Sequence, residues 1–394
     1  MRLQPTAGRP LACVLGGMDL VRALGLAGIR SAVVAPPGDF PRFSRHAKAV
    51  IDAVDASSRP TELVESLLRF ARTQPSKTVL FYDGDFKLLA ISRNRDVLAE
   101  AFTFVVPEAE LVEDLLDKAR FQSLAERVGL PVPRSAPAVP SAAPPSVELD
   151  FPLVVKQVTR QNVQWSPLAR TKAIPVADRG ALDELWPRLA SASVDVLLQE
   201  LVPGPETLVE SYHAYLDQSG EIAAEFTGRK IRTYPSLYGY STALEITNEE
   251  DVRELGRDVL RTLDFRGVAK LDFKRHPETG RLYLLEINPR FNLWHHPGAK
   301  AGVNIPALVY ADLTGLPRPQ AGSVQAGARW IHPFFDFRAS RADGVSLVEW
   351  LPWALRCEAK YAFALDDPLP IPRAIVARLR RRIARSTSRS AASA

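Results

Sequence analysis

The feature that most constrains this chain is a hairpin near its middle. Gly267-Val-Ala-Lys-Leu-Asp272-Phe is one run of strand length, and Leu284-Leu-Glu286-Ile-Asn288-Pro-Arg290 is another. Between them stands Arg275-His-Pro-Glu-Thr-Gly280, whose proline and glycine reverse a chain. Side chains alternate along a strand, so Glu286 and Asn288 share a face. Antiparallel pairing of the two runs sets Asp272 beside that face, where two carboxylates and one amide oxygen converge. Hard oxygen ligands that leave room for water and phosphate suit Mg2+. Arg290, just past the second run, adds a fixed cation where an anion would sit. Such a pattern is more often a solvated sheet face. Here both runs have apolar flanks, and polar groups held among apolar neighbours are costly unless they have partners.

The 394 residues are enough for two or three domains. An apolar fraction of 46% is that of a globular protein. No apolar run approaches the ~20 residues of a membrane span, and the first ten residues lack a signal-peptide core. Cys13 and Cys357 are the only cysteines, with neither metal spacing nor a disulfide framework. A reducing cytoplasm is therefore expected. The net charge of +5 comes from one segment: residues 370–394 hold seven arginines and no acid, and the remainder carries −2. The body gives no global reason to expect nucleic acid as partner, and no membrane partner is expected. The arginine-rich segment could touch an anionic surface, but the favoured reading is a frayed, solvated helix end followed by a disordered Ser/Ala tail.

The first third alternates strand and helix. Leu11–Leu15, Ser31–Ala35 and Thr78–Tyr82 are strands, and Glu62–Ala71 has helical spacing. This is the βαβ pattern of a parallel sheet, in which ligands bind beyond the carboxyl ends of strands. Gly16-Gly17, Ser44-Arg45 and Asp83-Gly84-Asp85 are expected to line part of such a pocket. A single helix is expected over Leu111–Val128, carrying Lys118, and then a Pro/Ala-rich loop over Ser135–Ser146. From Phe151 the texture changes. Phe151-Pro-Leu-Val-Val-Lys156 is a strand ending in lysine, a polar loop follows, and Val194–Glu200 is a strand running into Leu201-Val-Pro-Gly204. Strands and helices no longer alternate strictly, which points to an antiparallel α+β domain. A largely helical region follows Val303.

A lysine-tipped strand, a polar loop, Gln-Glu before a Pro-Gly turn and a D…ExN hairpin, in this order, resemble the ATP-grasp superfamily over residues 10–315. Asp117-Lys118-Ala-Arg-Phe121 with Gly129-Leu-Pro-Val-Pro133 matches the opening of that family's ATP domain. Leu-Leu-Glu286-Ile-Asn288-Pro-Arg290 is its most specific signature. The chain is most similar in kind to the carboxylate–amine ligases of the D-aspartate-ligase-like group. The resemblance implies an α/β pre-ATP-grasp substrate domain (1–110) and an α+β, two-lobed ATP-grasp domain (111–320). The latter has a lid lobe at about 150–203 and a metal lobe at about 204–320. A helical C-terminal region (321–394) with a basic tail completes the expected layout.

Roles follow from the resemblance residue by residue. Lys118 and Lys156 would hold ATP phosphates. The Gln199 or Glu200 side chain, with the backbone through Val202, would read the adenine edge, and Glu206 would accept from the ribose hydroxyls. Asp272, Glu286 and Asn288 would hold two Mg2+, with Mn2+ as a substitute. Arg290 would hold the reacting carboxylate, and Arg232 or Lys230 would stand near the γ-phosphate. The loop after Lys156 has no glycine where many relatives have a glycine-rich lid, so Arg160, Asn162 and Ser166 are expected to take its place. His295 and His296 lack a third ligand at suitable spacing and read, with Trp294, as a pocket wall. The implied reaction is ATP-dependent joining of a small-molecule carboxylate to an amine, and homodimers are common in the family. The alternatives are a carboxylase or other acylphosphate user with a non-amine nucleophile, and a nucleotide-binding module without chemistry.

Overall fold

A computed structural model describes residues 8–141, 143–159, 165–169, 171–320 and 322–392. The chain divides into two compact units: Met1–Val106 with Arg290–Val324 and Glu358–Ala394, and Pro107–Pro289 with Gln325–Cys357. The helical region expected over 321–394 is thus shared between the units.

The first unit opens with β1 (Ala12–Leu15), α1 (Met18–Leu26), β2 (Ser31–Ala35), β3 (Ala47–Asp52), α2 (Pro60–Ala71) and β4 (Thr78–Tyr82). Then come α3 (Asp85–Arg93), α4 (Arg95–Ala99) and β5 (Phe102–Thr103). The strands are parallel in the order β3-β2-β1-β4-β5. All residues of β1, β2 and β4 are buried, as parallel strands covered on both faces require. β3 escaped the sequence reading because it is an edge strand. Only Ile51 of its six residues is buried, and its apolar run is just Ala49-Val50-Ile51.

The second unit begins with two helices where one was expected, α5 (Ala109–Leu116) and α6 (Lys118–Val128). Asp117 between them is extended, and its carboxylate accepts from Ala119 N and Arg120 N at 2.9 and 3.0 Å. The carboxylate caps a new helix start instead of continuing the old helix, so Lys118 opens α6. Gly129, at φ 72°, closes it in the left-handed conformation that favours glycine. β6 (Ser135–Ala138), within the expected loop, is a strand at a sheet edge, where its proline is tolerated. β7 (Leu153–Gln157), α7 (Trp165–Leu168), β8 (Ile174–Val176), α8 (Arg179–Ala192) and β9 (Val196–Glu200) complete a small antiparallel sheet, ordered β6-β9-β7-β8. Leu153, Val155, Val196 and Leu198 pack on Leu182, Trp186 and Leu189 of α8. By alternation, Lys156 and Gln199 share the opposite face.

A larger antiparallel sheet follows: β10 (Val209–Leu216), β11 (Ile222–Tyr234), β12 (Tyr240–Thr247), α9 (Glu250–Thr262), β13 (Gly267–Arg275) and β14 (Leu282–Asn288). One face is apolar. Tyr212, Ala214, Leu271, Phe273, Leu284 and Ile287 pack with Val252, Val259 and Leu260 of α9 and with Phe121 and Leu124 of α6.

The chain returns to the first unit with α10 (His295–Lys300) and α11 (Ile305–Leu313). β15 (Arg329–Ile331), α12 (Pro333–Ala342) and α13 (Leu347–Arg356) belong to the second unit, where β15 pairs with β12. β16 (Ala359–Lys360) and α14 (Pro370–Ala392) are again in the first. Arg22, almost wholly buried, fixes that last segment by donating to the carbonyl oxygens of Lys360, Ala362 and Phe363.

Helix α9 lies so close to β10 that a Cβ on Gly256 would fall 2.3 Å from Tyr212 Cδ1. The ring has no room to yield, because it is buried and its hydroxyl donates to Glu225 Oε2 at 2.6 Å. Alanine gains about 1 kcal/mol of helix propensity, but overpacking costs typically about 1–3 kcal/mol. Gly256→Ala is expected to be net destabilising, read as a lower urea midpoint.

Candidate active site

The hairpin forms as the sequence predicts. β13 pairs antiparallel with β14, and Asp272 faces Glu286 while Lys270 faces Asn288. The register slips between Asp272 and Phe273, whose partners are Glu286 and Leu284, so Leu285 is an extra residue in β14. That bulge keeps both Leu284 and Ile287 in the apolar core while Glu286 and Asn288 stay on the other face. On its far side β13 pairs with β10, setting Ser211 opposite Asp272 and His213 opposite Lys270. Two rows of polar residues therefore cross three strands: Ser211–Asp272–Glu286 and His213–Lys270–Asn288.

The rows bond within themselves and to each other. Ser211 Oγ donates to Asp272 Oδ1 at 2.5 Å, and Asp272 Oδ2 pairs with the Lys270 ammonium. Asn288 Nδ2 donates to Glu286 Oε1 at 3.0 Å. His213 is buried and stacks on Phe226, ring centroids 4.5 Å apart.

Around this face stands a group of lysines. Lys156 Nζ donates to Gln199 Oε1 at 2.7 Å, and Lys118 Nζ donates to the carbonyl of Gln157, the next residue in β7, also at 2.7 Å. Burial pushes Lys156 below the usual lysine range, while the charges of Glu286 and Glu206 pull it back up. Lys274 is likewise lowered by burial and by Lys230, and raised by Glu206. Lys230 Nζ lies 3.8 Å from Glu206 Oε2. The structure thus brings together Lys156, Gln199, Glu206, Lys230, Asp272, Glu286 and Asn288, while Lys118 is held at the backbone of β7 next to Lys156.

Other expected site residues are engaged elsewhere. Arg232 makes a bidentate pair with the fully buried Asp336, at 2.8 and 2.7 Å, beneath the Trp353 ring. Thr242 and Trp350 donate to the same carboxylate. Glu200 Oε1 accepts from Asp150 N and Arg134 at 3.0 Å each, on the side of β9 away from Gln199. Val202 is buried. Arg160, Asn162 and the side chain of Ser166 lie outside the described residues.

In the first unit the carboxyl ends of β1 and β4 gather Gly16-Gly17 and Asp83-Gly84-Asp85. Gly17 N donates to Asp83 Oδ2 at 2.8 Å, Lys87 to Asp83 Oδ1 at 2.7 Å, and Arg290 Nε to Asp85 Oδ1 at 2.6 Å. Ser44 and Arg45, expected beside them, bind Asp367 instead. Trp294, His295 and His296, expected as a pocket wall, belong to the same unit as Arg290. All three are buried in this unit, and His296 Nδ1 sits 3.1 Å from Asp19 Oδ1. Burial drives His295 down to about 3.

Ser211, His213, Lys270 and Lys274 were missed in the sequence. The two lysines had left a signal: Lys270-x-Asp272-x-Lys274 has the period of two that puts all three on one face. Ser211 and His213 became visible only through the register with β13.

Among the described residues no three or more His, Cys, Asp and Glu side chains group as a metal site. The donor set is instead two carboxylates and an amide oxygen. It suits an oxygen-loving cation that completes its shell with phosphate and water. The Lys270 ammonium against buried Asp272 shows that the position favours a cation. The residues fit Mg2+.

No family model matches the sequence, and no curated protein matches it. Solved structures do. A biotin carboxylase from Campylobacter jejuni in a β,γ-ATP complex superposes with a TM-score of 0.61 at 13% identity, covering 81% of this chain and 74% of that one. An L-amino acid ligase from Bacillus licheniformis gives 0.60 at 15%, covering 80% and 76%. The ADP complex of purK, N5-carboxyaminoimidazole ribonucleotide synthetase, gives 0.59 at 15%, covering 81% and 80%. These enzymes share one architecture with the two sheets and the preceding parallel sheet described above. The chain shares its fold with these three enzymes.

Proposed function

We propose that the protein is an ATP- and Mg2+-dependent ligase that activates a carboxylate as an acylphosphate and joins it to an amine, with an amino acid or small peptide as substrate. The observation that carries this reading is the polar face of the larger sheet, where Asp272, Glu286 and Asn288 stand among Lys156, Lys230, Lys270 and Lys274. Lys156 and Lys274, whose proton affinity burial lowers, are a costly arrangement that an anionic ligand relieves. Carboxylates beside them would merely cancel the charge unless a cation comes with the anion. A nucleoside triphosphate with its metal meets both demands.

In this reading Lys118 and Lys156 hold phosphate oxygens as compact cations. Gln199 and the backbone through Val202 read the adenine edge, Glu200 being held by Arg134 and Asp150. Glu206 accepts from the ribose. Asp272, Glu286 and Asn288 would hold Mg2+, two ions or Mn2+ in their place, and the metal would supply charge neutralisation for the phosphates. The substrate carboxylate, oriented by Arg290, attacks the γ-phosphorus, and ADP leaves. An amine then attacks the acyl carbon and phosphate leaves, so an amide bond remains. Ammonium groups near the acyl oxygen, Lys230 first, stabilise the negative charge that builds there. Arg232 drops from this role because Asp336 already holds it on both nitrogens.

A carboxylase reading draws support from the biotin carboxylase and ribonucleotide synthetase that share the fold. Bicarbonate dependence of ADP release separates it from amide formation.

Three outcomes are expected. With ATP, Mg2+ and a mixed amino-acid pool the protein releases ADP and phosphate, and a chelator stops it; AMP and pyrophosphate as products refute the acylphosphate route. Glu286→Gln lowers turnover by about 10²-fold or more with an unchanged unfolding transition, and wild-type turnover in that variant removes the metal assignment. Lys230→Met lowers turnover by a similar factor, whereas Arg232→Met acts on stability, by about 3–5 kcal/mol, because it strands buried Asp336. The opposite pattern in denaturant melts and steady-state assays reassigns the cation to Arg232.

A further inference from the structure

Helix α14 is amphipathic in the wrong sense for a helix lying on a protein. Its inward face is made of small residues: Ala374 is fully buried, and Ala377 is half-buried. Arg378 and Arg381 on the same side donate to the carbonyl oxygens of Gly38 and Pro37, and Arg378 lies over the Phe40 ring. The opposite face should be polar. It carries Ile375, Val376, Leu379 and Ile383, whose helical spacing makes one stripe, and they are 50%, 46%, 52% and 65% exposed. Exposed Arg373 and Arg380 flank the stripe on one side and Arg382 on the other. Leu365 and Leu369, just before the helix, are exposed too. The segment from 370 onward contains seven arginines and no acidic residue.

An apolar stripe bordered by arginines is the pattern of a helix that lies in the plane of an anionic bilayer surface. The apolar side chains enter the acyl boundary and the guanidinium groups stay among lipid phosphates. No described helix is long and apolar enough to cross a membrane, so the surface position is the one left to it. A nucleic acid would take the charge but leave the stripe in water, and the stripe faces away from the unit that carries the helix. We propose that α14 docks the protein on anionic lipid surfaces. The sequence favoured a solvated helix end over contact with an anionic surface, and the stripe shows only when the residues are sorted by face. The inference is independent of the ligase reading.

The test is co-sedimentation of the full chain with phosphatidylcholine vesicles, with and without phosphatidylglycerol. The wild type is expected to pellet with the anionic vesicles and to be released by salt. The double substitution Ile375→Glu/Leu379→Glu should weaken binding by about tenfold or more, and Arg380→Gln/Arg382→Gln by about tenfold. The exposed arginine pair serves as the check if the first variant melts at a lower temperature. No pelleting with anionic vesicles overturns the proposal, as does wild-type pelleting by both variants. Retention on duplex DNA or an acidic protein that survives Ile375→Glu/Leu379→Glu, without vesicle binding, overturns it in favour of a purely electrostatic partner.

Discussion

The strand register across β10, β13 and β14 is the constraint on which the rest of the candidate site depends. Because side chains alternate, one register decides both faces of the sheet at once. It sends Tyr212, Leu271 and Ile287 into the core with α9, and by the same act lines up Ser211, Asp272 and Glu286 on the other side. A slip of one residue would bury the carboxylates and expose the core. Core packing therefore enforces the site geometry, and the bulge at Leu285 is the local adjustment that lets two core residues and two polar residues coexist in one short strand.

Electrostatics then adds a second dependence. Asp272 is buried, and a buried carboxylate needs partners. Ser211 supplies a hydrogen bond and Lys270 a charge. Lys156 of β7 and Lys274 of β13 lose proton affinity through burial; Lys156 regains part of it from Glu286 and Glu206, and Lys274 from Glu206. The Asp336–Arg232 pair differs in kind. It is closed on all sides by Thr242, Trp350 and Trp353, and it works as a fastener between β11 and α12.

Much of this was legible in the sequence because it is local. The hairpin was announced by two runs and a Pro/Gly turn, and the buried strands β1, β2 and β4 by continuous apolar stretches. What failed to show depended on distant partners. β3 and β6 are edge strands whose residues carry little apolar signal. The break at Asp117 turns on a capping bond that competes with helix continuation. Ser211 and His213 gain meaning only from pairing with β13, and nothing near Arg232 reveals that Asp336, far along the chain, already occupies it. Family resemblance supplied the roles of Lys118, Lys156 and Glu206, and the structure supplied their neighbours.

The second unit is discontinuous, and this has a consequence for how the chain is made. Residues 325–357 are the last part of that unit to leave the ribosome, after an intervening stretch that belongs to the first. Until they arrive, β12 lacks its β15 partner and presents an open edge, and Arg232 lacks the carboxylate it is built against. Such unpaired edges recruit other chains. As long as residues 325–357 are unmade, β12 has no β15 to cover it, so the edge of the larger sheet is completed only after most of both units has been synthesised.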